Sequence, residues 1–299
     1  VKAIILGSGA GGGVPQWNCR CAICEMARAG DPRVLPRTQS SLAVSLDERQ
    51  WLLINASPDI RQQIAGADEL FPHEAARHSP IAAVLLTNGD VDHIAGLLSL
   101  RESQAFSLYA TAQTLRAVDA NRVFSVVNPA FVTRRAIDLH HPFEALPGLS
   151  VELFSVPGKV PLWLEDENLR IGEAGEHTVG VEIKADGQRL LYVPGCAAID
   201  DKVRKRLDGA DMLLFDGTLW TDEEMIAAGV GVKTGRRMGH VPVSSGDGAI
   251  AALAGLAIGR RIFVHINNTN PILIDGSPER RQAEAAGWEI GFDGMRMSL

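Results

Sequence analysis

Residues 85–93 read LLTNGDVDH. The apolar run PIAAV precedes them and IAGLLSLRE follows. A buried strand therefore ends at the leucines, a polar loop opens, and a helix begins. Acidic residues lie at the positive end of that helix's dipole. Asp92 and His93 are adjacent at the helix start, where both side chains can turn towards one point. Such a pair can hold a metal ion. Equally, Asp92 can cap the helix N–H groups while His93 merely packs.

Outward from this stretch, strands are expected at 1–7 (VKAIILG), 40–46 (SSLAVSL), 50–56 (QWLLINA) and 81–87 (IAAVLLT). Ser57 and Pro58 read as the N-cap and first turn of a helix after the third of these. The helix that follows the fourth is expected over 90–102 (DVDHIAGLLSLRE). Residues 107–123 read as strand then helix, and strands dominate from 135 to 194. Two of them form a hairpin turned at Asp186-Gly187. The last third alternates again, with strands at 211–217 (DMLLFDG), 260–268 (RRIFVHINN) and 288–294 (WEIGFDG). Helices are expected between them at 221–229, 244–257 and 277–287. The second half echoes the first. This pattern fits an αββα sandwich, an α/β fold of two facing mixed sheets with helices on the outer faces. No linker-like or low-complexity stretch interrupts it, so residues 1–299 are read as one domain.

A net charge of -7 argues against a nucleic-acid partner, because phosphate binding needs clustered positive charge. No apolar run reaches the ~20 residues of a membrane span. The N-terminal apolar stretch is too short for a signal peptide. A cytoplasmic location is the expectation. Cysteine usage agrees with it. Three of the four cysteines, Cys19, Cys21 and Cys24, sit in NCRCAIC. Neighbours that close cannot all form disulfides, whereas a C-x-C-x-x-C knuckle suits structural zinc. The fourth ligand must come from elsewhere: His265, Asn268 or an acidic side chain. The remaining thiol, Cys196, reads as a small buried residue.

GSGAGGG places G-x-G-x-x-G at Gly7, Gly9 and Gly12 after the first strand. A dinucleotide site would need a helix to open at the last glycine. Pro15 and the cysteine cluster follow instead, so tight turns beside a site are the better reading. RIFVHINNTNP puts His265 near a strand end among Asn267, Asn268 and Asn270, which look like a site wall. RRMGHVPVSSGDG puts His240 in a loop before a helix, suited to general acid–base work or to simple exposure. Lys233, Arg236 and Arg237 precede it, in a loop able to clamp carboxylates or to remain solvated. Asp92, His93 and His265 make two imidazoles and one carboxylate, the ligand set of non-haem Fe(II) oxygen chemistry.

Several of these pieces, above all PQWNCRC and HINNTNPI, together with INASPDIR, FDGTLWTDEEM and GVKTGRRMGH, resemble the coenzyme PQQ biosynthesis protein B family of the metallo-β-lactamase superfamily. The likeness runs along nearly the whole chain. It implies the metallo-β-lactamase fold. The superfamily carries H-x-H-x-D-H where this chain has NGDVDH, so Asn88 and Asp90 replace two histidines while Asp92 and His93 remain. One metal nest is thereby lost and one kept. The resemblance implies a role in making pyrroloquinoline quinone (PQQ) from a cross-linked Glu–Tyr unit. Two roles are carried forward. In the first, Fe(II) on Asp92, His93 and His265, with O2, hydroxylates the tyrosine ring of this small-molecule precursor. His240 moves protons, Asn88 and Asp90 assist at the centre, and the basic loop with the asparagines holds the substrate. In the second, the protein carries PQQ or its precursor towards the periplasm and the metal is vestigial. Zinc fills the knuckle in either case, and a homodimer stays open.

Overall fold

The computed structural model of the protein describes residues 1–299. Strands and helices are numbered in chain order. The first sheet contains β1 (Lys2–Gly7), β2 (Ser41–Ser45), β3 (Trp51–Ile54), β4 (Ile81–Leu85), β5 (Phe106–Ala110) and β6 (Val132–Ala136), with β14 (Met295–Ser298) beside β1. The second contains β7 (Phe143–Leu146), β8 (Leu149–Gly158), β9 (Glu173–Ala185), β10 (Gln188–Val193), β11 (Met212–Asp216), β12 (Arg260–Val264) and β13 (Trp288–Ile290). Both sheets are mixed and built alike. Antiparallel pairs come first along the chain, and three parallel pairs follow: β3–β4–β5–β6 in one and β10–β11–β12–β13 in the other. This is the repeat that the sequence pattern carries.

Side-chain alternation decides which face each residue covers. Ile5, Leu52 and Ile54 point from the first sheet into a shared core with Val151, Val181 and Leu190 of the second. Their neighbours Ile4, Leu6 and Leu53 point the other way, into the layer beneath the first sheet's helices. Phe154, Leu191 and Phe215 do the same on the outer face of the second sheet. Three stacked apolar layers make an αββα sandwich. Each fully buried aliphatic side chain contributes about 1.5–3 kcal/mol.

Helices are shorter than the sequence suggests. They are α1 (Ala22–Arg28), α2 (Ile60–Ala65), α3 (Val91–Ile94), α4 (Ala112–Asp119), α5 (Asp201–Leu207), α6 (Glu224–Ala227), α7 (Gly235–Met238), α8 (Ala249–Ala252) and α9 (Pro278–Ala285). The helix expected over 90–102 is one α-turn, α3, continued as a 3-10 turn over Ala95–Leu98. Gly96 packs there so tightly that a Cβ would sit 2.2 Å from the Ser57 carbonyl oxygen. Ser57 is not the N-cap of α2, which opens at Ile60. Its hydroxyl takes the Asp59 N–H and so shapes the turn before the helix. No helix opens at Gly12. The first one starts at Ala22, after the cysteine loop, so the glycine run is a turn and not a dinucleotide cradle. The Asp186-Gly187 turn between β9 and β10 has φ of 53° and 79°, as a tight hairpin requires. No helix is long and apolar enough to cross a membrane.

Candidate metal centre

The centre forms where parallel strands of both sheets end. β4 runs out into Asn88, Asp90, Asp92 and His93. β11 ends on Asp216, and β12 delivers His265. His265 sits at φ 55°, in the left-handed region, at a cost of about 1–3 kcal/mol. Bonds around it hold it there: its Nδ1 lies 2.9 Å from Thr218 Oγ1, and the next N–H donates to the Ser8 carbonyl. The strained backbone turns the imidazole back towards α3.

Donor atoms of Asp92, His93 and His265 all lie within 4.8 Å of one another. Asp92 Oδ2 is 3.1 Å from His265 Nε2 and 3.7 Å from His93 Nε2. His93 Nδ1 is bonded to Asn88 Oδ1 at 2.8 Å. The amide oxygen can only accept, so the ring proton sits on Nδ1 and Nε2 carries the free lone pair. That Nε2 is buried and has no hydrogen-bond partner. An orphaned imidazole nitrogen beside a carboxylate and a second imidazole is the donor chemistry of a divalent metal. The residues present fit such an ion.

Electrostatics in the cluster agree. Burial alone would raise the Asp92 carboxyl, but His93 and His265 outweigh it and hold it below the usual range. Burial pushes His93 down to about 4, which leaves its imidazole neutral and able to ligate. Burial opposes charge on His265 too, yet the bond to Asp92 and the charge of Asp216 raise it. Asp90 goes the other way: burial and the nearby Asp92 push its carboxyl up. Its Oδ1 accepts the Leu162 N–H at 3.0 Å.

A cavity of about 420 Å³ opens over these groups, with Asn88, Lys159, Glu165, Lys233, His240 and Asn267 also in its wall. His240 lies in the loop between the short helices α7 and α8. Its ring stacks on His265 with centroids 5.0 Å apart. Its Nδ1 lies 2.7 Å from the buried Asp216 Oδ2. Asp216 also accepts the Thr218 hydroxyl at 2.6 Å and the Cys196 N–H at 2.9 Å. Burial works against its charge, but His240 and His265 hold its carboxyl down. The sequence reading missed Asp216. Its only signal was an acidic residue closing a buried strand in MLLFD. Asp216, His240 and His265 also bring donor atoms within 4.8 Å of one another.

The basic loop is partly neutralised. Lys233 and Arg237 both reach Glu165, at 3.7 and 3.1 Å, and Lys159 pairs with it at 2.9 Å. Arg236 is a correction: it bonds Asp247 at 2.6 Å on the surface and lies outside the cavity. Two asparagines also leave the substrate wall. Asn270 is fully buried, caps the turn at Pro271–Leu273 and donates to the Gly217 carbonyl. Asn268 turns away from the cavity to the cysteines. A larger cleft of about 560 Å³ lies between α5 and the outer face of β8 and β9. Its buried acid, Glu182, is already paired with Lys184, Arg189 and Arg206.

Cys19, Cys21 and Cys24 bring their sulfurs within 4.8 Å of one another at the start of α1. The Asn268 amide caps the triangle, 3.1, 3.5 and 3.2 Å from the three sulfurs. Of the fourth-ligand candidates, Asn268 reaches the knuckle but presents its Nδ2 donor to the sulfurs, and His265 is turned to Asp92. Burial pushes the Cys21 thiol up to about 12, so three thiolates need a cation among them to coexist. Arg28 ties the loop down through the carbonyls of Gln16 and Cys19, both at 2.5 Å. Cys196 is buried and donates to the Ala198 carbonyl.

Fold and centre together define a member of the beta-lactamase superfamily, and the model of the beta-lactamase superfamily domain matches residues 50–266. Coenzyme PQQ synthesis protein B of Methylobacterium sp. (strain 4-46) is 63% identical over 299 residues, covering 100% of both chains. The crystal structure of Zn(2+)-bound PqqB from Methylobacterium extorquens superposes with a TM-score of 0.99 at 60% identity, again over 100% of both chains. The chain belongs to the coenzyme PQQ synthesis protein B family. A diphosphatase of the PhnP family shares the fold alone, with a TM-score of 0.69 at 22% identity over 100% of this chain and 97% of its own.

Proposed function

We propose that the protein acts in PQQ biosynthesis as a metal-dependent hydroxylase of the tyrosine ring in a Glu–Tyr-derived precursor, with Fe(II) held by Asp92, His93 and His265. One observation carries this reading: the buried, unpartnered Nε2 of His93 beside Asp92 and His265, at the floor of an open cavity. The zinc ion in the 60% identical relative supports a divalent ion in this chain. Two imidazoles and one carboxylate leave coordination positions free, and Asn88 and Asp90 are poor substitutes for a second histidine nest. A bound Fe(II) would supply O2 activation, and an external two-electron donor must balance conversion of a ring C–H to C–OH.

The chain's own groups do the rest. Lys159 and Lys233 share Glu165 at the cavity wall and leave excess positive charge for a substrate carboxylate. Asp216 fixes His240 through Nδ1, which leaves Nε2 to take or return a phenolic proton. Stacking against His265 keeps that imidazole over the centre.

The test is aerobic incubation of anaerobically iron-loaded protein and a reductant with the cross-linked Glu–Tyr diamino acid, read by mass. A gain of one oxygen is expected. His93→Ala and His265→Ala should abolish it while the circular dichroism spectrum stays native. Binding of PQQ or its precursor with no oxygen gain would instead favour carriage.

A further inference from the structure

Glu224 is a buried carboxyl group that the chemistry above does not use. α6 is a short surface helix, yet this side chain turns inward. Its Oε2 accepts the Trp220 N–H at 2.6 Å. Its Oε1 lies 2.6 Å from Thr269 Oγ1, which lies 2.7 Å from Asn267 Nδ2. Asn267 stands in the wall of the metal cavity. Its backbone is fixed at both ends, by its N–H to the Thr218 carbonyl and by its carbonyl to the Asn270 N–H. Its side-chain amide is the part that reaches Thr269. Three side chains thus link a surface helix to the cavity.

A hydroxyl has one proton to give, so this chain has a direction. We propose that Glu224 is a positioning residue that decides, through Thr269, which end of the Asn267 amide faces the cavity. Ionised Glu224 can only accept. Thr269 then donates to it and must accept from Asn267, so Nδ2 faces Thr269 and Oδ1 faces the cavity. The wall offers an acceptor, suited to an ammonium or hydroxyl of the ligand. Protonated Glu224 reverses every step. The Trp220 N–H still claims Oε2, so the proton sits on Oε1 and is donated to Thr269. The threonine proton turns to Asn267, which must present Oδ1 to it. The wall then offers an N–H, suited to a carboxylate.

Both directions fall within the neutral range. Burial pushes the Glu224 carboxyl up to about 7, helped by the Glu279 carboxylate of α9 and opposed by the Thr269 hydroxyl and the Trp220 and Thr221 N–H groups. The relay holds whatever reaction the cavity performs, so its test is independent of hydroxylation.

The test uses zinc-loaded, full-length protein with 15N in its asparagines. The Asn267 side-chain signal is assigned by its loss in Asn267→Asp. In the wild type, that NH2 group is protected from exchange, relative to a free amide, at about pH 8.5 and loses protection at about pH 5.5. Glu224→Gln must keep its oxygen on the Trp220 N–H and donate its NH2 to Thr269. It therefore gives the unprotected signal at both values. Thr269→Val removes the pH dependence. An Asn267 signal with equal protection at the two pH values in the wild type overturns the relay, even where a variant fails to fold. A Glu224→Gln profile that follows the wild type also overturns it.

Discussion

Asn88 Oδ1 lies 2.8 Å from His93 Nδ1 and also accepts the Asp90 N–H at 3.0 Å. The residue that stands where the superfamily carries a metal-binding histidine thus supports a remaining ligand from behind. It fixes the tautomer and the orientation of the ring. Asn88→Ala should weaken divalent metal binding by about 10–100-fold, the usual effect of losing such a partner. Asn88→Asp keeps an acceptor and should lose less. Competition with a chromophoric chelator measures both. Equal affinity in wild type and Asn88→Ala would remove Asn88 from the centre.

Asp216 gives four donors an acceptor: the Thr218 N–H and hydroxyl, the Cys196 N–H and His240. An amide in its place loses one acceptor and presents N–H groups where donors already point. Asp216→Asn should lower stability by about 1–3 kcal/mol. The proposed ring hydroxylation should fall by about 10²–10⁴-fold, since His240 would lose its orientation. Metal content should not change. Denaturant unfolding, product mass and metal analysis read the three separately. Loss of the metal together with activity would make Asp216 a ligand and not a partner of His240.

Strand content was legible in the sequence because apolar runs in a buried two-sheet core tolerate little else. Asp92, His93 and His265 were legible for a different reason. Few side chains ligate metals, and these stood at strand ends, where loops can bring them together. Asp216 was not, because its partners His240 and Cys196 are brought to it by loops distant in sequence. The asparagines of HINNTN failed as a group for a geometric reason. The chain reverses there, so Asn267 faces the cavity, Asn268 the cysteines and Asn270 the buried Gly217 carbonyl. Arg236 failed because α7 turns it out to Asp247 while Arg237 turns in to Glu165. Helix lengths failed at Gly96, where backbone crowding is invisible in one dimension.

The cysteine knuckle and the metal centre share the loop that runs from His265 to Asn268. Cys24 is completely buried, and Asn268 touches all three sulfurs. Zinc held in the knuckle would be released by Cys24→Ser, which should lower stability by about 4 kcal/mol, the linkage of an ion present at a thousand times its dissociation constant. Asn268→Ala should weaken zinc retention while leaving the three thiols in place. Both should loosen His265 and reduce metal affinity at Asp92 and His93. Zinc stoichiometry and thiol titration report the first effect, and chelator competition the second. A zinc-free Cys24→Ser protein with unchanged affinity at the other centre would show the loop to be rigid without the knuckle.

Glu224 also predicts a pH dependence of folding. Burial raises its carboxyl from the ordinary 4.5 to about 7 in the folded chain. A raised folded value means the fold binds the proton more tightly than the unfolded chain does. Its contribution is therefore complete below the unfolded value, declines as pH rises through the folded one, and is gone above it. The interval spans roughly 2–4 kcal/mol, from the size of the shift. Glu224→Gln carries no ionisable proton and should flatten this part of the profile, ending more stable than the wild type relative to its own acid limit. Urea unfolding of both proteins from about pH 5 to about 8.5 measures the difference. Parallel profiles would mean that Glu224 ionises freely in the fold. A wild type that gains stability over the same interval, relative to Glu224→Gln, would mean that Thr269 and the Trp220 N–H outweigh burial.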